Sequence, residues 1–251
     1  LLTYRSTFKT LNELNQSEMR LGGLRINPVT NISSSVNYIN NVKLRKVSDS
    51  AEQQVKGLPK DALISNLMWS PNEKKIAFTH TTSNAVELWV IDVASAQAKR
   101  LSTAKLNANL DNPFVWFKDS ENLLVKVLPK NRPALLDASK DLPTGAIISN
   151  ADGSVSQNRT YPDLLKNRND EINFENIASS ELHKVHVSGT STLWKKADMY
   201  AGESFSPDGK LLMLTTIQKP FSYIVPINRF PSKTIITDIA GDELLISYKE
   251  K

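Results

Sequence analysis

Apolar positions along this chain come in short bursts separated by clusters of Pro, Gly, Asn, Asp and Ser. That is the pattern of strands and tight turns rather than of long amphipathic helices. The clearest group predicts strands at Ile64–Trp69, Lys75–His80, Val86–Val93 and Ala98–Leu101. Within it Leu88-Trp89-Val90-Ile91 does not alternate, which suits a strand covered on both faces. Upstream, Leu24–Ile26, Val42–Val47 and a short strand near Gln54 read as an earlier group. Downstream, Pro113–Phe117 and Leu123–Leu128 begin a third, whose next strands, Leu182–Val187 and Thr192–Trp194, come only after a long interruption. A fourth group holds Tyr200–Phe205, Leu211–Ile217, Thr234–Asp238 and Glu243–Tyr248.

Three of these groups share one phrase: an aromatic residue ending a strand, a polar tight turn, then an apolar strand. The aromatics are Trp69, Trp116 and Phe205; 47 residues separate the first two and 89 the last two. A repeat of ~40–50 residues built from short strands is the signature of a propeller blade. The turn Ser206-Pro207-Asp208-Gly209 supplies proline's fixed φ and a glycine where φ is expected to be positive. In Ser70-Pro71-Asn72-Glu73 a glutamate takes the glycine's place, which predicts either slight strain or a different turn type. The expected fold is therefore all-β, with β-propeller blades of four antiparallel strands, about four blades forming an incomplete propeller, over residues 1–251.

The interruption, residues 129–180, is the least blade-like stretch and reads as a loop and helical insertion within one blade. Asp141-Leu142-Pro143-Thr144-Gly145 and Asp152-Gly153 are loop signals. Tyr161–Asn167 and Glu171–Ser180 read as short helices, the second with Phe174, Ile177 and Ala178 on one face. So long a connection is more often functional than idle; a lid or packing flap on the propeller face is the plainer reading.

Composition changes the picture little. Hydrophobic residues make up 40% and charged residues 23% of the 251, ordinary globular values. The net charge of +5 is spread over scattered basic residues, a solvated surface rather than a nucleic-acid footprint. There is no cysteine, which removes disulfides, thiolate metal sites and cysteine nucleophiles. No apolar run approaches the ~18 residues of a bilayer span. No signal peptide is visible and residue 1 is leucine, so the chain is expected to be a processed product or a piece of something longer.

No catalytic constellation is visible. There is no Gly-x-Ser-x-Gly elbow. Of three histidines, His183 and His186 are three apart on a predicted strand and point to opposite faces, and His80 ends a strand between threonines. Asp170, Glu171 and Glu175 have no base, metal motif or nucleophile beside them, and acids at a helix start commonly serve its dipole. Neither a metal nor a cofactor is expected. Asn31-Ile32-Ser33 and Asn158-Arg159-Thr160 match the glycosylation pattern, which recurs by chance.

Several segments resemble the prolyl oligopeptidase-like glutamyl endopeptidases. They are Gln157-Asn158-Arg159-Thr160-Tyr161-Pro162-Asp163-Leu164-Leu165-Lys166-Asn167, Glu87-Leu88-Trp89-Val90-Ile91-Asp92-Val93, Leu24-Arg25-Ile26-Asn27-Pro28, Pro220-Phe221-Ser222-Tyr223-Ile224-Val225-Pro226 and Arg229-Phe230-Pro231. The resemblance runs in order over nearly the whole chain. It implies an N-terminal β-propeller followed by a C-terminal α/β-hydrolase domain of the same parent chain, which holds the catalytic serine, aspartate and histidine. The family's propeller has about seven blades, against about four here. The chain would be the non-catalytic propeller that restricts entry of peptides to a hydrolase site outside it, in a periplasmic or secreted enzyme. A glutamate-preferring site calls for a guanidinium, which grips a carboxylate bidentately. Arg159 and Arg229 are the candidates, each with a structural salt bridge within the insertion as its alternative role; Lys166 and Arg168 lie nearby and are weaker candidates. The competing function is a stand-alone periplasmic TolB-like propeller that binds a protein or peptide on its face.

Overall fold

The computed structural model describes residues 1–4, 11–48, 50–137 and 161–249. Three four-stranded sheets dominate, each wound in chain order. The first of them contains β7 (Ile64–Trp69), β8 (Lys75–Thr81), β9 (Val86–Asp92) and β10 (Gln97–Arg100). The next contains β11 (Phe114–Trp116), β12 (Asn122–Val127), β13 (Ser180–His186) and β14 (Ser191–Asp198). The last contains β15 (Tyr200–Phe205), β16 (Leu211–Ile217), β17 (Ser232–Asp238) and β18 (Glu243–Lys249). Every neighbouring pair in them is antiparallel. These are propeller blades.

The N-terminal region departs from the expected grouping. β5 (Asn41–Arg45) pairs with β6 (Glu52–Gln54) on one side and with β1 (Leu2–Tyr4) on the other. The strand β3 (Leu24–Asn27) belongs to a separate small sheet with β2 (Met19–Leu21) and β4 (Ile32–Ser33). The earlier group is therefore two three-stranded sheets rather than one blade. A short helix α1 (Leu11–Leu14) lies between β1 and β2.

Alternation of side chains across each strand gives each blade two packing faces. From β8 and β9, Ile76, Phe78 and Ile91 pack with Val42 and Leu44 of β5. Their opposite-facing neighbours Ala77, Val86, Leu88 and Val90 pack with Phe114, Leu123 and Val125 of the next sheet. Leu124 and Leu182 then meet Leu212, Leu214 and Ile235 of the last. The unalternating run at Leu88–Ile91 is covered on both faces, as expected.

The repeated turns stitch the stack together. Glu73, Ser120 and Gly209 hold the equivalent position with φ of 59°, 60° and 74°, so all three turns demand the left-handed region and glycine occupies one. In two of them the serine opening the turn holds the acceptor two residues on, at Ser70–Asn72 and Ser206–Asp208, and accepts from the amide of Lys75 or Leu211. Each turn also touches the next: the Asn72 amide donates to Ser120 Oγ at 3.0 Å and Lys118 Nζ to the Pro207 carbonyl at 2.5 Å.

Between β12 and β13 the chain carries the helix α2 (Arg168–Ala178). Asn167 caps it by accepting from the Asp170 amide, while Asp170 and Glu171 occupy the positive first turn,. The expected helix at Tyr161–Asn167 is absent. Pro162 and Asp163, the latter at φ 59°, turn the chain there instead.

Candidate functional site

Four of the five family-like segments, far apart in sequence, contribute residues to one cluster around α2; Glu87–Val93 packs elsewhere, within β9. Phe174 stands edge-on to both Phe221 and Phe230, which stack on each other at 5.5 Å. Leu21, Ile26 and Leu165 bury against the same cluster. The Ile227 amide donates to the Gly22 carbonyl at 2.8 Å. A Cβ on Gly23, at φ +85°, would come within 2.9 Å of Pro226, so glycine is needed for this approach.

The end of the insertion is fastened to the β2–β3 hairpin by charge as well as packing. Arg25 Nε donates to Asp163 Oδ2 at 2.7 Å, Arg20 lies 3.7 Å from its other oxygen, and the Gly23 amide donates to the Asp163 carbonyl. Leu164 and Leu165 are buried beneath. Arg25, Asp163, Phe221 and Phe230 thus form a scaffold that fixes the neighbouring surface.

Of the predicted carboxylate binders, Arg229 ends a short 3-10 turn (Ile227–Arg229) and is exposed, its guanidinium over the Tyr161 ring at 5.8 Å from the centroid. Among the described residues it has no carboxylate partner, so it is held by an aromatic face and not by a salt bridge. Arg159 and the Asn158 acceptor motif lie outside the described residues. Arg168 is exposed and within 3.7 Å of Glu171, and Lys166 is an exposed residue beside the Asn167 cap. The other acceptor motif is inaccessible, because Asn31 is buried.

A second cation sits near the insertion. Arg132, in the segment leaving β12, is half-buried and donates from Nη1 to Asn31 Oδ1 at 2.5 Å. Burial holds its pKa below the ordinary guanidinium value. Its sequence surroundings, Lys130-Asn131-Arg132-Pro133, read only as loop.

The histidines have local structural roles. His80 is buried, accepts from the Leu63 amide, and stands edge-on to Trp89; burial pushes its pKa down. His183 contacts Glu181 and Ser191, and His186 contacts Ser188. Among the described residues no group of three histidine or acidic side chains is placed to hold a metal ion, and no helix is long and apolar enough to cross a membrane.

No family model matches the chain. Over 96% of its length it is 33% identical to a probable chloroplastic glutamyl endopeptidase of Oryza sativa subsp. japonica and 31% identical to one of Arabidopsis thaliana. It spans only 27% and 26% of those two proteins. Among solved structures it aligns with the β-propeller domain of the Trilobed protease from Pyrococcus furiosus at 12% identity and a TM-score of 0.45, covering 86% of this chain and 51% of that one. Over nearly its whole length the chain is a homologue of a segment of the glutamyl endopeptidases.

Proposed function

We propose that this chain is the non-catalytic propeller of a serine-type glutamyl endopeptidase, shaping which peptides reach a hydrolase site that lies outside residues 1–251. The carrying observation is the homology to about a quarter of two glutamyl endopeptidases, with four of the five family-like segments gathered at one cluster. A stack of rigid sheets, with an insertion packed on it, can exclude folded proteins while admitting extended peptides. Arg229 supports the reading as an exposed guanidinium free to meet a glutamyl carboxylate, and Arg159 joins it on sequence grounds. The C-terminal hydrolase domain as partner, and a periplasmic or secreted location, come with this reading through the family resemblance.

The test compares the 251-residue chain with the parent gene product. The chain alone is expected to release no product from glutamyl peptides. The parent product is expected to cleave short glutamyl peptides and to spare the same sequence inside a folded domain. Turnover by the purified chain that resists serine-directed inactivation, or a native product ending near Lys251, overturns the proposal.

A further inference from the structure

Between the segment leaving β12 and the C-terminal end of α2 lies a cleft of about 440 Å³. Its polar lining includes Lys130, Arg132, Asn176, Ser179 and Glu181. Two features of it are unbalanced. The first is charge. Arg20, Arg25, Arg100 and Arg168, all well exposed, each stand on a carboxylate. Arg132 is only half-exposed, and among the described residues its one polar anchor is the neutral amide of Asn31. That bond fixes the planar fork without neutralising it.

The second is a donor. Asn176 Nδ2 is closed off from solvent and has no hydrogen-bond partner among the described residues, although buried polar groups are nearly always satisfied. Glu181, the one acidic residue of the lining, is engaged by His183 Nε2 at 3.0 Å, so it does not serve Arg132. A concave site with an uncompensated guanidinium and an unused amide donor is chemically matched to an anionic oxygen pair.

We propose that this cleft binds the carboxylate of an acidic peptide, with Arg132 gripping it through its remaining N–H groups and Asn176, once its side chain turns out toward the cleft, donating a further hydrogen bond from Nδ2. The choice of a peptide as ligand rests on the peptidase reading above; the carboxylate chemistry rests on the cleft. The carboxylate can belong to a glutamyl side chain or to a chain terminus, since both present the same two oxygens.

The experiment follows the Arg132 Nε–H resonance of the ¹⁵N-labelled chain while adding one of three probes: a doubly blocked glutamyl dipeptide, its glutaminyl counterpart, and a blocked alanyl dipeptide with a free C-terminus. A saturable shift with either carboxylate probe, and none with the glutaminyl one, is expected. The stronger of the two carboxylate probes identifies the source. Arg132→Gln should weaken binding about tenfold or more, the usual scale for losing a charged hydrogen bond, and Arg132→Lys should weaken it less. Should Arg132→Gln fail to fold, the wild-type resonance still decides. Equal binding of the glutaminyl probe, an unmoved Arg132 resonance, or a folded Arg132→Gln with affinity within about twofold sinks the site. A parent product that cleaves glutamyl peptides equally well with Arg132→Gln sinks the site and leaves the peptidase reading standing. Carboxylate binding by this chain alongside an inactive parent does the reverse.

Discussion

The sheet β7–β10 and the sheet β15–β18 share strand order, turn and hydrogen-bonding plan, yet they meet different surroundings. In β7–β10 both faces are buried, with Phe78 and Leu88 each fully inaccessible on opposite sides. In β15–β18 only one face is covered. Leu212 and Leu214 are buried against the preceding blade, while Leu211, Met213 and Leu245 on the other face are 38%, 46% and 58% exposed. Turn chemistry and ladder pairing are therefore enough to set a blade's shape, and packing energy depends on which neighbours it has. Apolar burial of ~1.5–3 kcal/mol per large side chain is collected on both faces of β7–β10 and, among the described residues, on one face of β15–β18.

The sharpest way to break this comparison is a matched pair of truncations. Phe78→Ala should lower stability by about 3–5 kcal/mol, the usual range for an emptied aromatic core site. Met213→Ala should change it by less than about 0.5 kcal/mol, as at an exposed site. Urea unfolding measures both. A Met213→Ala loss rivalling that of Phe78→Ala would mean that the outer face of the last blade is covered in solution.

A smaller effect tests the covered face of the same blade. Lys126 of β12 is 1% exposed, lies 3.0 Å from Glu203 Oε1 on β15, and donates to the Leu110 carbonyl at 2.8 Å. Burial holds the Glu203 carboxyl above its ordinary value of 4.5, and Lys126 offsets this only in part. A folded value above the unfolded one means that the folded protein binds this proton more readily. The contribution is then fully present below the unfolded value and is lost as pH rises through the folded one. Glu203→Gln should remove that slope, which is at most about 1.4 kcal/mol per pH unit. An unchanged slope, read by thermal melts from pH 4 to 8, would mean that Glu203 is charged throughout.

The turns offer a pair of effects of opposite sign. Gly209→Ala places a Cβ at φ +74° and 2.5 Å from Lys118 Cβ, and should destabilise by about 1–2 kcal/mol. Glu73→Gly should stabilise by roughly 0.5 kcal/mol, because relief of the left-handed conformation is partly offset by a freer unfolded chain. Opposite signs in thermal melts are expected. Equal signs would show that the two turns are not equivalent.

What could be read from sequence followed the range of the forces involved. The strands of β7–β10 and β15–β18 were legible within a residue or two because alternation and turn residues are local signals. The N-terminal grouping was not, because the partner of Val42 is Thr3, far upstream, and β3 carries only four residues with Arg25 among them. The Asn167-Arg168-Asn169-Asp170 start signal would have placed α2 more accurately, and Pro162 argued against a helix before it. Arg229 could be named from its motif. Arg132 could not, since a lone arginine in a loop acquires meaning only from its burial and its lack of a carboxylate among the described residues.

The aromatic meeting of Phe174, Phe221 and Phe230 also sets an order of events during synthesis. Residues 64 to 100 contain every partner that β7–β10 needs within the sheet, so that blade can pair as it leaves the ribosome. The β2–β3 hairpin is made much earlier but must wait for Ile227 and Phe230, a contact of very long sequence separation and correspondingly slow closure. A nascent chain stalled before residue 218 would carry β7–β10 already paired while the earlier β2–β3 hairpin still lacked its final cover.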